Sequence, residues 1–265
     1  DLIVKSGIVV DPSQHLHGIS DVAIEDGKIA KIAADIPAEE AKRIVEVKGK
    51  VVTPGLIDLH THVYSGVNAN GVDPDIGGVR AGITTMVDAG SAGCDNFGGF
   101  PAHILPNAAT EIICFLHICR TGLNTTPDIF SLESIDLDKT IEVIKDNNGV
   151  ISGVKARMVS PALEIMGMEM PRLAKRAAME AGVPLMVHIG DTMKRYNANV
   201  IRELLPILDK GDIVTHYFTA NPGGVLDSNS KLVPEAKEAH DRGVWLDTAH
   251  GQMNFSFDVG QKILD

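Results

Sequence analysis

Five polar side chains fall near the ends of apolar runs, and four of them are of the type that binds metal ions. His60 and His62 close the run Gly55–Val63, and single histidines sit in two later runs, His188 in Pro184–Gly190 and His216 in Ile213–Thr219. Side chains alternate along a strand, so His60 and His62 face the same way and can grip one ion. A His-x-His pair alone is a weak signal, because exposed or merely hydrogen-bonded pairs are common. With single histidines added at the ends of two further strands, four imidazoles converge on one mouth, and metal ligation is the best physical reason for that.

Lys155 is the fifth, inside the apolar stretch Gly153-Val154-Lys155-Ala156. Burying an ammonium there is costly. One reading pairs it with an acid or lets it snorkel out at the strand end. The other is chemical: burial near cations lowers its pKa and populates the neutral amine. A neutral amine can take up carbon dioxide, and the resulting carbamate has two oxygens with which to bridge two metals.

Arg157 lies two residues on, hence on the same strand face. It is either a fork for a substrate carboxylate or one half of an ion pair at the rim. Tyr64 shares parity with His60 and His62, and either lines the pocket or fills a gap between loops. His250, after the run that begins at Val244, either orients substrate or is a satisfied loop histidine. His117 ends the run Glu111–Ile118, where packing is the expected role. Ser91 is expected as a loop or substrate contact rather than a nucleophile. Gly122–Pro127 reads as a loop over the site or as an ordinary connector.

The elements that must position these residues alternate. Strand-like runs occur at Gly55–Val63, Thr84–Gly90, Glu111–Ile118, Ile151–Met158, Pro184–Gly190, Ile213–Thr219 and Val244–Gly251. Their starts are mostly ~30 residues apart, the size of a βα unit. Helix candidates lie between them at Asp138–Asp146, Met168–Ala181, Asn199–Leu208 and Pro234–Arg242. Alternation of this kind predicts a parallel sheet with the active site at the C-terminal strand ends. Seven strands are present in the sequence, whereas a closed (β/α)8 TIM barrel has eight; strand eight is missing from this chain. An open α/β sheet of seven strands is the alternative. Residues 1–53 form a separate all-β portion of short strands, broken at Ser6-Gly7, Asp11-Pro12 and Asp26-Gly27, the last a hairpin signal. The expected division is therefore 1–53 and 54–265.

Composition narrows the partners. Lys plus Arg number 24 against 35 Asp plus Glu, a net charge of −11. This argues against nucleic acid and anionic membrane, which are bound by basic patches. No stretch reaches the ~18 apolar residues of a membrane-spanning helix, and no signal peptide opens the sequence, which starts at Asp1. Cys94, Cys114 and Cys119 show no paired spacing, so a reducing cytoplasm is the expected setting. A homo-oligomer acting on a small molecule is expected.

The run Pro54-Gly55-Leu56-Ile57-Asp58-Leu59-His60-Thr61-His62, with Lys155, His188 and His216, resembles the binuclear subtype of the amidohydrolase superfamily, which carries a carbamylated lysine on its fourth barrel strand. The run from Gly82 to Gly93 resembles the dihydroorotase-like and deacetylase-like branch, and the first portion resembles half of a small β-sandwich. The resemblance implies two divalent ions, Zn²⁺ or Mn²⁺, with His60 and His62 on the buried one. His188 and His216 would hold the exposed one, and the Lys155 carbamate would bridge them. It also implies attack by a metal-bridging hydroxide on an acyl amide or ester of a small carboxylic acid, such as an N-acyl amino acid or O-acyl hydroxy acid. The family's proton-shuttling Asp ends strand eight, so no catalytic acid or base is assigned in this chain. Cyclic amide hydrolysis is the alternative. Tyr64 stands where dihydroorotases carry a carboxylate-binding Arg, which points away from dihydroorotase activity itself. A non-catalytic interaction protein on the same fold is the alternative of another class. The intact set of five ligand positions argues against it.

Overall fold

The computed structural model describes residues 1–125, 127–195, 199–251 and 253–265. The chain divides into two compact units, Asp1–Leu56 and Ile57–Asp265.

The first unit is a sheet of five strands: β1 (Leu2–Asp11), β2 (Leu16–Glu25), β3 (Lys28–Ala33), β4 (Arg43–Glu46) and β5 (Val51–Val52). Its order is β3-β2-β1-β4, with β5 also beside β1. Asp26 and Gly27 both take positive φ, 50° and 72°, as the tight turn between β2 and β3 requires. Ser6-Gly7 does not end a strand as expected; β1 runs through it with a register shift between Val4 and Gly7. The cause is Asp21, buried on β2, which accepts the Ser6 N–H on one oxygen and the Ile36 N–H on the other, both at 2.8 Å. That gives the bulged backbone a partner other than the ladder.

In the second unit, β6 (Leu56–Thr61), β7 (Ile83–Ala89), β8 (Glu111–His117), β9 (Ile151–Arg157), β10 (Leu185–His188), β11 (Ile213–Thr215) and β12 (Trp245–Asp247) form one sheet in chain order. From β7 to β12 the neighbours pair in parallel. Connecting them are α1 (Pro74–Gly77), α2 (Leu137–Asp146), α3 (Ala162–Met166), α4 (Glu169–Ala181), α5 (Val200–Leu204) and α6 (Pro234–Asp241), with α7 (Phe257–Leu264) after β12. A helix was expected over Asn199–Leu208. Pro206 lacks the N–H that would continue it, so α5 ends at Leu204 and a 3-10 turn follows at Leu205–Ile207.

The sheet is not flat. Six strand spacings of ~4.8 Å would put β6 and β12 roughly 29 Å apart. Instead His60 Nδ1, on β6, lies 2.7 Å from Thr215 Oγ1 on β11 and 3.6 Å from Asp247 Oδ2 on β12. The sheet therefore curls into a parallel half-barrel, and a flat open sheet is excluded.

Two apolar clusters mark its two faces. The larger joins outward-facing Val154, Ala156, Leu185 and Val187 to helix residues such as Ile144, Ala174 and Ala178. On α4 the buried Met170, Pro171, Ala174, Ala177 and Ala178 recur at helical spacing, which gives it one apolar stripe. Each fully buried Leu, Val or Ile contributes on the order of 1.5–3 kcal/mol. The smaller cluster, Val87, Ala89, Phe115, Met186 and Ile213, fills the inside of the curl. Above that floor the inward positions turn polar.

Candidate metal and substrate site

Strand register builds the polar layer. Inward positions next above the apolar floor are His117 on β8, Lys155 on β9, His188 on β10, Thr215 on β11 and Asp247 on β12. His117 pairs in register with Lys155, His188 with Arg157, and Thr215 with both His188 and Asp247. Of these, Lys155 and His188 line a cavity of about 540 Å³ whose lining also includes His60, His62, Arg157 and His216. All five expected ligand positions thus meet at one mouth. His250 also lines it and packs against Phe255 in a tilted contact, with ring centroids 4.2 Å apart. Leu123 brings the segment 122–127 to the cavity; Thr126 of that segment lies outside the described residues.

Each imidazole has its own hydrogen-bond setting. The Thr215 hydroxyl donates to Asp247 Oδ2 at 2.6 Å, so its oxygen is left to accept from His60 Nδ1. That places the His60 proton on Nδ1 and frees Nε2, which faces Lys155 Nζ at 3.4 Å. His62 Nδ1 meets Ser91 Oγ at 3.0 Å, and His216 Nδ1 donates to the Ala249 carbonyl at 3.1 Å. His188 Nε2 is buried with no hydrogen-bond partner among the described residues. His216 holds a positive φ of 67°, a backbone state that a non-glycine residue adopts only when its surroundings impose it.

Burial, then neighbouring cations and rings, keeps all four rings neutral. His60 is pushed down to about 4, chiefly by burial and then by the Lys155 charge. His216 falls to about 3 through burial and His60. His62 and His188 lie well below the ordinary imidazole value for the same first cause. Neutral imidazole is the form that ligates metals.

Lys155 is 1% exposed. Its Nζ touches His60 Nε2 and the Met186 sulfur, both at 3.4 Å, and among the described residues it forms no ion pair with a carboxylate. Burial, with the Arg157 guanidinium second, pushes it down to about 7. Gly90 makes the room for it: a Cβ at that position, where φ is +90°, would stand 2.6 Å from Lys155 Cγ and 3.1 Å from His117 Cδ2.

Tyr64 is placed differently from the expected pocket position. β6 ends at Thr61, so strand parity no longer governs residue 64. Tyr64 is 3% exposed, stacks on Phe100 at 4.5 Å and donates its hydroxyl to the Asn96 carbonyl at 2.6 Å. It packs in the outer core and does not line the cavity. Ser91 is likewise no substrate contact: it is fully buried against His62. Arg157 lines the cavity, and its Nη1 lies 3.5 Å from Asp128 Oδ1.

Asp88 and Asp128 carried no signal in the sequence, whereas Thr215 and Asp247 stand at strand ends there with no role to assign. Asp88 is buried and accepts the Val63 and Ser91 N–H groups at 2.8 and 2.7 Å, which ties the loops after β6 and β7 together. Thr215 and Asp247 orient His60. Asp128 comes from an irregular loop that has no periodicity to read.

A profile of the amidohydrolase family matches residues 51–203, more than half of the sequence. The chain belongs to the amidohydrolase family. This amidohydrolase is 34% identical over 239 residues to a deacetylase of Agrobacterium fabrum, an alignment that covers 89% of the chain and 58% of the relative. The chain thus spans under two thirds of that relative's length. Among solved structures it is similar to one described as an adenine deaminase, with TM-score 0.87 and 30% identity, covering 100% of this chain and 69% of the other. Another, described as a dihydroorotase, has TM-score 0.82 and 31% identity, covering 99% of this chain and 69% of the other.

Proposed function

We propose that the protein is a metal-dependent hydrolase that cleaves an acyl amide or ester bond on a small carboxylic acid, such as an N-acyl amino acid or an O-acyl hydroxy acid. In this reading 1–53 is half of a small β-sandwich, and 54–265 is a (β/α)8 barrel up to its seventh strand. The observation that carries the proposal is the set of four imidazoles around a buried lysine that, among the described residues, has no acid partner, at a cavity that Arg157 also lines.

The donor set fits two divalent ions, zinc first among them. His60 and His62 would hold one, and His188 and His216 the other. Among the described residues no group of three or more His, Cys, Asp or Glu side chains could hold a metal ion by itself, so the reading depends on Lys155 as a further donor. Its neutral amine could add to the carbon of CO2 and give up a proton to solvent, and the resulting carbamate, whose two oxygens share one negative charge, would supply the missing donors. Bound there, the ions would provide Lewis-acid polarisation of a carbonyl and acidification of water.

The chain's own residues do the positioning. Thr215 and Asp247 fix the tautomer of His60, Ser91 steadies His62, and the Ala249 carbonyl orients His216. Such outer partners typically tune metal affinity 10–100-fold. Arg157 would hold a substrate carboxylate through N–H donors not turned toward Asp128. His250 would contact the substrate at the rim. The three free, buried cysteines support a reducing, cytoplasmic setting, and among the described residues no helix is long and apolar enough to cross a membrane.

Cyclic amide hydrolysis is the second reading, favoured by the dihydroorotase structure at 31% identity. A panel of N-acyl amino acids, O-acyl hydroxy acids, dihydroorotate, hydantoins and adenine, offered to the metal-loaded full-length protein, separates them. Acyl release from carboxylate-bearing substrates is the expected result. Turnover confined to the cyclic amides, or to adenine, would replace the acyl reading.

A further inference from the structure

Behind Arg157 lies a buried pair that this chemistry does not use. His117 is 0% exposed and Asp128 1%. His117 Nδ1 accepts the Cys119 N–H at 2.9 Å. With Nδ1 engaged as an acceptor, the proton of the neutral ring sits on Nε2. That atom stands 3.3 Å from Asp128 Oδ2, and the other carboxylate oxygen, Oδ1, stands 3.5 Å from Arg157 Nη1. Neither His117 Nε2 nor Asp128 Oδ2 forms a well-aligned hydrogen bond, to the other or to any other described residue, so the ring and the carboxylate face each other at ion-pair distance. The Cys119 thiol donates to the Asp128 carbonyl at 2.8 Å, which ties the backbone of the loop to the same turn.

A contact chain therefore runs from the backbone after β8, through an imidazole and a carboxylate, to the Arg157 guanidinium at the cavity. A carboxylate buried this deeply is costly unless paired, and here its two oxygens face one ring and one cation. Arginine is long and loses rotamer freedom when it binds. Fixing one of its nitrogens beforehand removes part of that loss and aims the remaining donors.

We propose that Asp128 and His117 are positioning residues that aim Arg157 into the cavity and so set selectivity for substrates bearing a carboxylate. This rests on the reading of Arg157 as the carboxylate-binding side chain. The pair acts through Arg157 and touches no reacting atom. Its effect therefore belongs in KM, because binding of a remote group is common to ground and transition states.

The test uses the metal-loaded full-length enzyme and two probe pairs: acetoxyacetate with acetoxyacetamide, and N-acetylglycine with N-acetylglycinamide. Within each pair only the carboxylate differs. Asp128→Asn is expected to raise KM for the carboxylate member about tenfold more than for its amide, with kcat little moved. His117→Gln should shift selectivity in the same direction by less, since its amide can still donate. In an Arg157→Met background, Asp128→Asn should add no further loss of selectivity. Equal losses on both members, unaltered selectivity, or effects additive with Arg157→Met would overturn the proposal. If Asp128→Asn does not fold, His117→Gln decides by the same criterion. Equal losses in Arg157→Met alone, or no wild-type turnover of either pair, would remove the carboxylate reading first, and the positioning role with it.

Discussion

At the residue scale, side-chain type and strand parity carry much of the argument. The four histidines and Lys155 could be picked out because each is polar where an apolar run ends, and the structure brings them to one cavity. Parity failed at Tyr64 because the strand it assumes stops at Thr61. Asp128 was invisible because its partners come from β8 and β9, and sequence spacing does not encode contacts between a loop and two strands. Two outcomes follow at this scale. Arg157→Met should lower kcat/KM about tenfold to a few hundredfold for carboxylate-bearing substrates, with a much smaller loss on neutral acyl esters, as removing a charge-assisted fork implies; steady-state kinetics on both substrate classes checks it. Gly90→Ala places a methyl group against Lys155 at a φ that favours glycine. It should destabilise the protein by about 1–3 kcal/mol, seen in chemical denaturation, and release metal more readily. A stability and a metal content equal to wild type would mean that Lys155 has room to move.

At the element scale, strand spacing was legible because each run is apolar on both faces until its polar end. A one-residue bulge at Ser6-Gly7 and a proline at 206 were the places where local sequence misled: a bulge keeps a strand going, and a proline shortens a helix without abolishing the turn. The curl was expected from the barrel pattern; what the sequence could not show is which side chains of β11 and β12 it brings against β6. That curl lets Thr215 and Asp247 hold His60, although 155 residues separate His60 from Thr215. Thr215→Val should cut this linkage and leave β11 apolar and paired. Metal affinity is expected to fall about 10–100-fold, measured by competition with a chelator, while the far-ultraviolet circular dichroism stays that of wild type. Undiminished affinity would assign Thr215 to packing.

At the scale of the whole molecule, burying five titratable nitrogens neutral couples stability to pH. His60 at about 4 and His216 at about 3 lie below the unfolded value of 6.5, and His62 and His188 are also lowered. Lys155 at about 7 lies below its unfolded value of 10.5. In every case the unfolded chain binds more protons, so the stability of the metal-free protein should rise with pH. The rise should occur in two windows, from about 3 to 6.5 for the histidines and from about 7 to 10.5 for the lysine. Lys155→Met should flatten the upper window and, by removing a charge that lowers the histidines, narrow the lower one, as read by urea denaturation across pH. A metal-free protein most stable near pH 5 would contradict these assignments.

The central claim is that Lys155 and the four histidines hold a pair of ions. Elemental analysis of full-length protein, purified without chelators in the presence of bicarbonate, tests it most directly. About two divalent ions per wild-type chain are predicted, as two-metal sites require, and loss of the pair in Lys155→Ala. A wild-type chain with no bound metal, or a Lys155→Ala variant that keeps both ions, would contradict the account.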